Sequence, residues 1–233
     1  MKRFCIDLYC GLGGWAEGFL TEGYDCIGFD TERHDYGTGG YPGQLVLQDV
    51  LTLHGSQFRN AAVIVASPPC QAYSYRAMPW KRAKALPPPD NALFDACFRI
   101  QGEASEAAGH HIPMVVENVK GAEPWVGRAK WHYGSFYLWG DVPALMPPVS
   151  TSKGFGGSWF AENHNTNTGG LGNPVDGTGV KQNGSGPTWF DTGIAHLPSS
   201  SPRRKAASAQ IAKIPFPLAQ YLATVFKPPA PPA

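Results

Sequence analysis

Charged residues are scarce in this chain, and neither sign dominates. They make up 16% of the 233 residues, and 19 basic against 18 acidic side chains leave a formal net charge of +1. This balance excludes a protein that holds nucleic acid through bulk positive charge, although it leaves room for local basic clusters. Hydrophobic residues reach 42%, which excludes global disorder and is enough for the core of one domain.

The chain also lacks long apolar runs and closely paired cysteines. No stretch of about 18 apolar residues occurs, so we expect no membrane span. The start MKRFCIDLYCG has no long apolar segment of the kind that secretory signals contain. There is no CxxC pair, and the cysteine spacings fit no zinc site. We therefore expect a cytoplasmic protein with free thiols and no metal. The five cysteines are Cys5, Cys10, Cys26, Cys70 and Cys97.

Apolar runs alternate with amphipathic stretches over the first 140 residues. This alternation predicts an α/β fold with a mostly parallel sheet and crossover helices. The predicted strands cover 4–10, 24–30, 61–67, 113–119 and 135–140, and the predicted helices cover 15–23 and 91–109.

The composition changes after residue 149. The segment 150–201 is rich in Gly, Asn, Thr and Ser and shows little periodicity, but its tryptophans favour a small ordered lobe over a disordered insertion. A last helical stretch follows, which Pro215 and Pro217 should break. The predicted organisation is a main domain over 1–149, a variable segment over 150–201, a C-terminal helix over 202–227 and a tail over 228–233.

A glycine-rich turn lies between the first predicted strand and helix, in DLYCGLGG (7–14). Glycines allow the backbone to approach a ligand closely, because they have no Cβ and tolerate positive φ. The next strand ends in Asp30, and Glu32 follows; an acid at that place can hold the hydroxyls of a ribose. The order of turn, helix, strand and acid predicts an adenosine-type ligand. No Walker lysine follows the glycines, which disfavours a phosphate cradle.

Two further motifs follow buried strands. SPPCQAYS (67–74) places Cys70 on a proline-stiffened loop at the carboxyl edge of the sheet, where open α/β folds bind ligands. VVENVKG (115–121) places Glu117 in an apolar strand, where an acid is costly unless it is paired or functional. The other four cysteines lie in apolar strands or helix stripes, which is typical of core residues.

Together these motifs resemble the cytosine-C5 DNA methyltransferase family. DLYCGLGG, SPPCQAYS, VVENV and a C-terminal KIPFPLAQYLA occur in the family's order, and the resemblance covers about 160 residues. It implies a Rossmann-like fold of the S-adenosylmethionine-dependent methyltransferases, with a small loop-rich target-recognition lobe at the variable segment. The implied activity is methyl transfer from S-adenosylmethionine to C5 of a cytosine flipped out of duplex DNA, with S-adenosylhomocysteine as product.

The resemblance also assigns roles to residues. Cys70 would add covalently to C6 of the cytosine, and Glu117 would hydrogen-bond N3 and the exocyclic amine. Asp30, or else Glu32, would take the ribose, and Asp49 the adenine amine. The full set implied for the cofactor is Asp7, Tyr9, Gly11, Leu12, Gly13, Asp30, Glu32, Asp49, Val50, Pro69 and Leu93.

The chain departs from the family pattern in two places. The usual QxRxR is missing after ENV, and Arg128, Lys130 or His132 would have to replace its catalytic arginine. The last motif reads IAKIP (211–215) where the family has Gly-Asn. That change leaves open the contacts at the methionine end. It also leaves open a sulfonium donor other than S-adenosylmethionine, with Lys213 as the residue concerned.

Local basic clusters provide the expected contacts to double-stranded DNA. One follows Cys70 and is interleaved with aromatic residues, and the other is SPRRK (201–205). The predicted DNA-binding residues are Gln71, Ser74, Arg76, Lys81, Arg82, Arg203 and Arg204.

Other activities remain open from the sequence. The first alternative is a tRNA cytosine-C5 methyltransferase of the same fold, and the second is a catalytically inactive relative that only binds DNA. A nucleoside-binding oxidoreductase would explain the glycine turn but neither Cys70 nor Glu117. The compact size and the short variable segment favour a phage or prophage origin. We expect a monomer that works in the cytoplasm of a bacterial host.

Overall fold

The computed structural model describes residues 3–37, 39–74, 85–146, 198 and 200–227. The strands are β1 (Phe4–Leu8), β2 (Asp25–Asp30), β3 (Gln44–Leu47), β4 (Ala61–Ala66), β5 (Met114–Asn118), β6 (Trp131–Tyr133) and β7 (Phe136–Gly140). The α-helices are α1 (Gly14–Thr21), α2 (Ala92–Ala108), α3 (Glu123–Val126), α4 (Pro202–Ala212) and α5 (Phe216–Val225).

The strands form one seven-stranded sheet in the order β3-β2-β1-β4-β5-β7-β6. The first five strands are mutually parallel, which confirms the predicted α/β sheet. At the far edge, β7 runs antiparallel to both β5 and β6. The sequence did not indicate β6, because three residues are too few to show a period of two.

Helices cover both faces of the sheet. On one face, α1 and α5 pack together through Trp15, Phe19, Leu218 and Leu222. The other face is covered by α2 and two short 3-10 helices, Val50–Thr52 and Gly55–Phe58. Because β4 lies in the middle, Val63, Ile64 and Val65 are fully buried, which explains the continuous apolar run in the sequence.

Turn residues end the helices where the sequence predicts. Gly109 terminates α2 with a φ of 71° and Gly23 follows α1 with a φ of 82°, left-handed values that suit glycine. The last helical stretch breaks between α4 and α5, so the predicted break is confirmed. Pro215 caps α5, and Pro217 lies in its first turn, where a proline is tolerated.

The predicted variable segment and tail lie outside the described residues, apart from positions 198, 200 and 201. Within the described ranges, none of the helices combines the length and apolarity needed to cross a membrane.

An acidic side chain lies in the core, at Asp7 of β1. It is fully buried, and the nearby Tyr41 hydroxyl does not reach hydrogen-bond geometry with it. Desolvation, with a smaller effect of Cys26, raises the pKa of Asp7 well above its ordinary value. The folded state therefore holds this proton more tightly than the unfolded chain does.

This buried acid predicts a stability that falls as the pH rises. A carboxyl whose pKa is raised in the folded state stabilises that state fully at a pH below its unfolded pKa, near 4. This stabilisation is lost as the pH rises towards the folded pKa. We expect a loss of up to about 1.4 kcal/mol per pH unit from this group above about pH 4. Asp7→Asn should remove that decline. The melting temperature of the variant relative to that of the wild type should therefore increase from pH 5 to pH 8. Parallel melting profiles of the two proteins would contradict the expectation.

Candidate active site

The predicted site residues gather at the carboxyl edge of the parallel strands. The glycine turn follows β1, Asp30 ends β2, Asp49 follows β3, Cys70 follows β4, and Glu117 lies near the end of β5. Parallel strands of an open α/β sheet bring their carboxyl ends together, and ligands of such folds bind there.

The glycine turn is fastened to the end of β2. The Gly11 amide donates to Asp30 Oδ2 at 3.0 Å, and the Cys10 amide donates to Phe29 O at 3.2 Å. Tyr9 has a φ of 58°, which is uncommon outside glycine and shows how tightly the chain turns here. The turn thus exposes backbone, instead of side chains, next to a carboxylate.

The Asp30 carboxylate accepts hydrogen bonds from several neighbouring groups. Burial raises the pKa of its carboxyl, but His34 Nε2 at 3.3 Å and the Gly11 amide together outweigh burial, so the pKa is lowered. The Thr31 amide also donates to Oδ1, at 2.8 Å. Asp30 is therefore ionised at neutral pH. Glu32 is exposed to solvent, whereas Asp30 is half-buried, so Asp30 is the more enclosed of the two acids.

A cavity of about 270 Å³ opens beside the loop after β4. Tyr9 of the glycine turn contacts one of its lining residues, because the Tyr9 hydroxyl donates to Leu93 O at 2.9 Å. Asp49 is exposed after β3 and caps the following 3-10 helix, and Val50 is buried. The lining residues are Pro68, Pro69, Gln71, Ala72, Tyr73, Asp90, Leu93 and Phe94.

The loop that carries Cys70 is held by its own backbone. Cys70 O accepts the amides of Tyr73 and Ser74, each at 3.0 Å, and the Ser74 hydroxyl at 2.9 Å. The buried Tyr73 donates from its hydroxyl to Asn91 Oδ1 at 2.8 Å. Cys70 itself is half-buried, whereas the other four cysteines are buried.

Asn118 joins this loop to the strand of Glu117. Its Nδ2 donates to Pro68 O at 3.0 Å, while its Oδ1 accepts the Val119 amide at 2.8 Å. Asn118 and Glu117 are both buried, at 1% and 9% exposure, which is uncommon for polar side chains at the end of a strand. The structure therefore brings the Cys70 loop and the Glu117 strand together. The tripeptide ENV predicted the glutamate, but it did not reveal the role of its asparagine.

A comparison with known families matches about half of the chain. The model of the C-5 cytosine-specific DNA methylases matches residues 4–122, which are 119 of the 233 residues. The chain belongs to this family. Its sheet and helices form the Rossmann-like fold expected from the sequence.

Several solved methyltransferase structures are similar to the chain over about half its length. One, from E. coli, is a DNA modification methyltransferase encoded within a prophage (25% identity, 54% of this chain, 35% of that chain, TM-score 0.38). Another is a DNMT2 variant from Spodoptera frugiperda (19%, 54%, 38%, TM-score 0.36). A third is the Entamoeba histolytica methyltransferase EhMeth (13%, 55%, 41%, TM-score 0.37). The chain covers at most 41% of these three proteins. No curated protein matches it.

The three candidates for the missing arginine lie on the approach to β6 and on β6 itself. Arg128, Lys130 and His132 are all exposed. The Lys130 amide donates to Leu138 O at 2.9 Å, and Leu138 pairs with Glu117 on the neighbouring strand. The backbones of Lys130 and Glu117 are therefore two strand spacings apart, roughly 10 Å. His132 is stacked on Tyr137 at 4.9 Å. The choice among the three stays a prediction.

The divergent last motif lies against the start of α1. A Cβ on Gly14 would come within 2.5 Å of Ile214 N, so the two backbones touch directly after the glycine turn. Lys213 Nζ lies 2.5 Å from Glu17 Oε1, and the two form an ion pair. The sequence did not reveal Glu17 as a partner, because 196 residues separate the two side chains.

The predicted DNA-binding residues are only partly within the described structure. Gln71 and Arg203 are exposed, whereas Ser74 and Arg204 are half-buried. Arg76, Lys81 and Arg82 lie outside the described residues.

Proposed function

We propose that this chain is a DNA (cytosine-5)-methyltransferase. It transfers a methyl group from S-adenosylmethionine to C5 of a cytosine that has left the duplex. The observation that carries the proposal is the 3.0 Å hydrogen bond from Asn118 to Pro68, because it joins the loop of a half-buried thiol to the strand of a buried carboxyl. Membership of the methylase family supports the same activity.

Cys70 and Glu117 carry the chemistry at the base. The Cys70 thiolate forms a bond to C6, which makes C5 nucleophilic, and Glu117 holds N3 and the exocyclic amine as charge builds on the ring. After C5 has gained the methyl group, its proton leaves, the C6–sulfur bond breaks and the thiolate returns to Cys70. Arg128, Lys130 or His132 supports the base in place of the family's arginine.

The residues at the carboxyl edge fit S-adenosylmethionine. When bound, the cofactor supplies an electrophilic methyl group on a sulfonium. Asp30 is ionised and accepts hydrogen bonds, so it can hold ribose hydroxyls. Asp49 is exposed and available to an adenine amine, and Leu93 and Pro69 line the neighbouring cavity. The remaining members of the predicted set are Asp7, Tyr9, Gly11, Leu12, Gly13, Glu32 and Val50. Since Asp7 is fully buried in β1, it would support the glycine turn and would not contact the cofactor directly.

Labelled cofactor separates the proposed substrate from the alternatives. The protein is incubated with methyl-labelled S-adenosylmethionine and either duplex DNA or total tRNA. We expect label on DNA, and bisulfite sequencing of DNA from expressing cells should show modified cytosines in one short context. Label on tRNA alone would establish the first alternative, and absence of label with intact DNA binding would establish the inactive relative.

The assignment of a recognition lobe to 150–201 and of basic contacts to Arg203, Arg204 and the loop after Cys70 belongs to the same proposal. A monomer acting on double-stranded DNA in a bacterial cytoplasm is the setting we propose, with a phage as its source.

A further inference from the structure

An ion pair on α2 holds the loop that follows β3. Arg99 Nη1 donates to Leu53 O at 3.0 Å and Nη2 to Leu51 O at 3.4 Å. The same guanidinium contacts Glu103 Oε1 at 2.9 Å and Oε2 at 3.1 Å. Glu103 Oε2 in turn accepts the Gly55 amide at 2.6 Å. Two side chains, one helical turn apart, therefore bind three backbone groups of one loop.

The loop can reach these side chains because it lies directly on the helix. A Cβ on Gly55 would come within 2.1 Å of Ile100 O, so the loop backbone touches the helix backbone. Val50, Leu53 and Phe58 are buried beneath it. The Gly55 amide and Arg99 lower the pKa of Glu103, in that order of effect, so the carboxylate stays ionised and keeps its bonds at neutral pH.

This loop begins at Asp49, which the proposed function places on the adenine amine. The Asp49 side chain caps the held segment, because its Oδ1 accepts the Leu51 amide at 2.9 Å. Leu51 O is also one of the carbonyls bound by Arg99. The position of the carboxylate thus depends on a backbone segment whose other polar groups are bound to α2.

We propose that Arg99 and Glu103 are positioning residues for the adenine end of the cofactor, acting through the loop 49–55. They touch no substrate. Their effect is to keep the Asp49 carboxylate where it can accept a hydrogen bond from the amine, and so to favour adenine over a deaminated base. The inference rests on the proposed function, since it needs a nucleoside cofactor at this edge.

Calorimetry with two product analogues tests the proposal. S-adenosylhomocysteine has the amine, whereas S-inosylhomocysteine has a carbonyl oxygen in its place. We expect Arg99→Ala and Glu103→Ala to weaken binding of S-adenosylhomocysteine about 3- to 10-fold, the effect of one lost hydrogen bond, and to leave S-inosylhomocysteine nearly unchanged. The double variant should lose no more than the larger single effect, because the two side chains act as one unit.

A matched control lies on the same helix. Gln101 Nε2 donates to Ile112 O at 3.0 Å and to Asp141 Oδ2 at 2.8 Å, so Gln101→Ala also removes side-chain hydrogen bonds from α2, but none of them reaches the loop 49–55. It should keep the preference of the wild type for the amine. If Arg99→Ala weakened the binding of both ligands equally, or weakened neither, the preference for the amine would be unchanged and the inference would be overturned. A wild type that binds neither ligand would instead overturn the proposed function.

Discussion

Replacement of Cys70 by alanine is expected to abolish methyl transfer while leaving cofactor binding intact. The loop around Cys70 is held by main-chain bonds to Cys70 O, which alanine retains, so the fold of the loop should persist. None of the other four cysteines can replace it in the covalent step, because all four are buried. We expect a fall in rate of at least about 1,000-fold, as for other nucleophile deletions. Methyl transfer from labelled S-adenosylmethionine to DNA measures the rate, and titration with S-adenosylhomocysteine measures cofactor binding.

A mechanism-based probe isolates the covalent step. In duplex DNA with 5-fluorocytosine at every cytosine, the C5 substituent cannot leave as a proton, so the protein should remain attached to the base after transfer. The wild type should give a product that survives denaturation, and Cys70→Ala should give none. Cys26→Ala is the control, since Cys26 is a buried core residue of β2 and should still form the adduct. Methylation at the normal rate by Cys70→Ala would refute the covalent mechanism.

Short-range signals in the sequence predicted much of the fold and indicated candidate residues for the site. Strands such as β4 and the glycine turn have local signatures, because burial on both faces and tight turning each restrict the residues at those positions. The contacts that position these residues could not be predicted in the same way. Tyr73 with Asn91, Asn118 with Pro68 and Arg99 with the loop after β3 join segments that lie 18 to 50 residues apart. A polar residue in isolation does not show which distant backbone group it will bind.

In helix packing, the local sequence signal is misleading. Gly14 and Gly18 lie within α1, where glycine usually weakens a helix. In the structure they face the segment that contains Ile214 and the helix α5, and they let both backbones approach. The last motif thereby reaches the end of the glycine turn, so the packing of the two helices is linked to the shape of the proposed cofactor site.

Replacement of Gly18 by alanine should therefore destabilise the protein, against the usual gain from alanine in a helix. A Cβ at this position would lie 2.4 Å from Gln220 N and 2.5 Å from Ala219 C, both backbone atoms of α5, so the helices must separate. We expect a loss of about 1–3 kcal/mol, the usual cost of overpacking a core, and a fall in melting temperature of several degrees. Gly102→Ala is the matched control, because Gly102 lies within α2 with no atom near its would-be Cβ. It should gain about 0.5–1 kcal/mol. Since α5 follows directly on the segment beside the glycine turn, Gly18→Ala should also weaken binding of S-adenosylhomocysteine, and Gly102→Ala should not. Equal stabilisation by the two substitutions in thermal unfolding would show that α1 and α5 do not pack as closely as described.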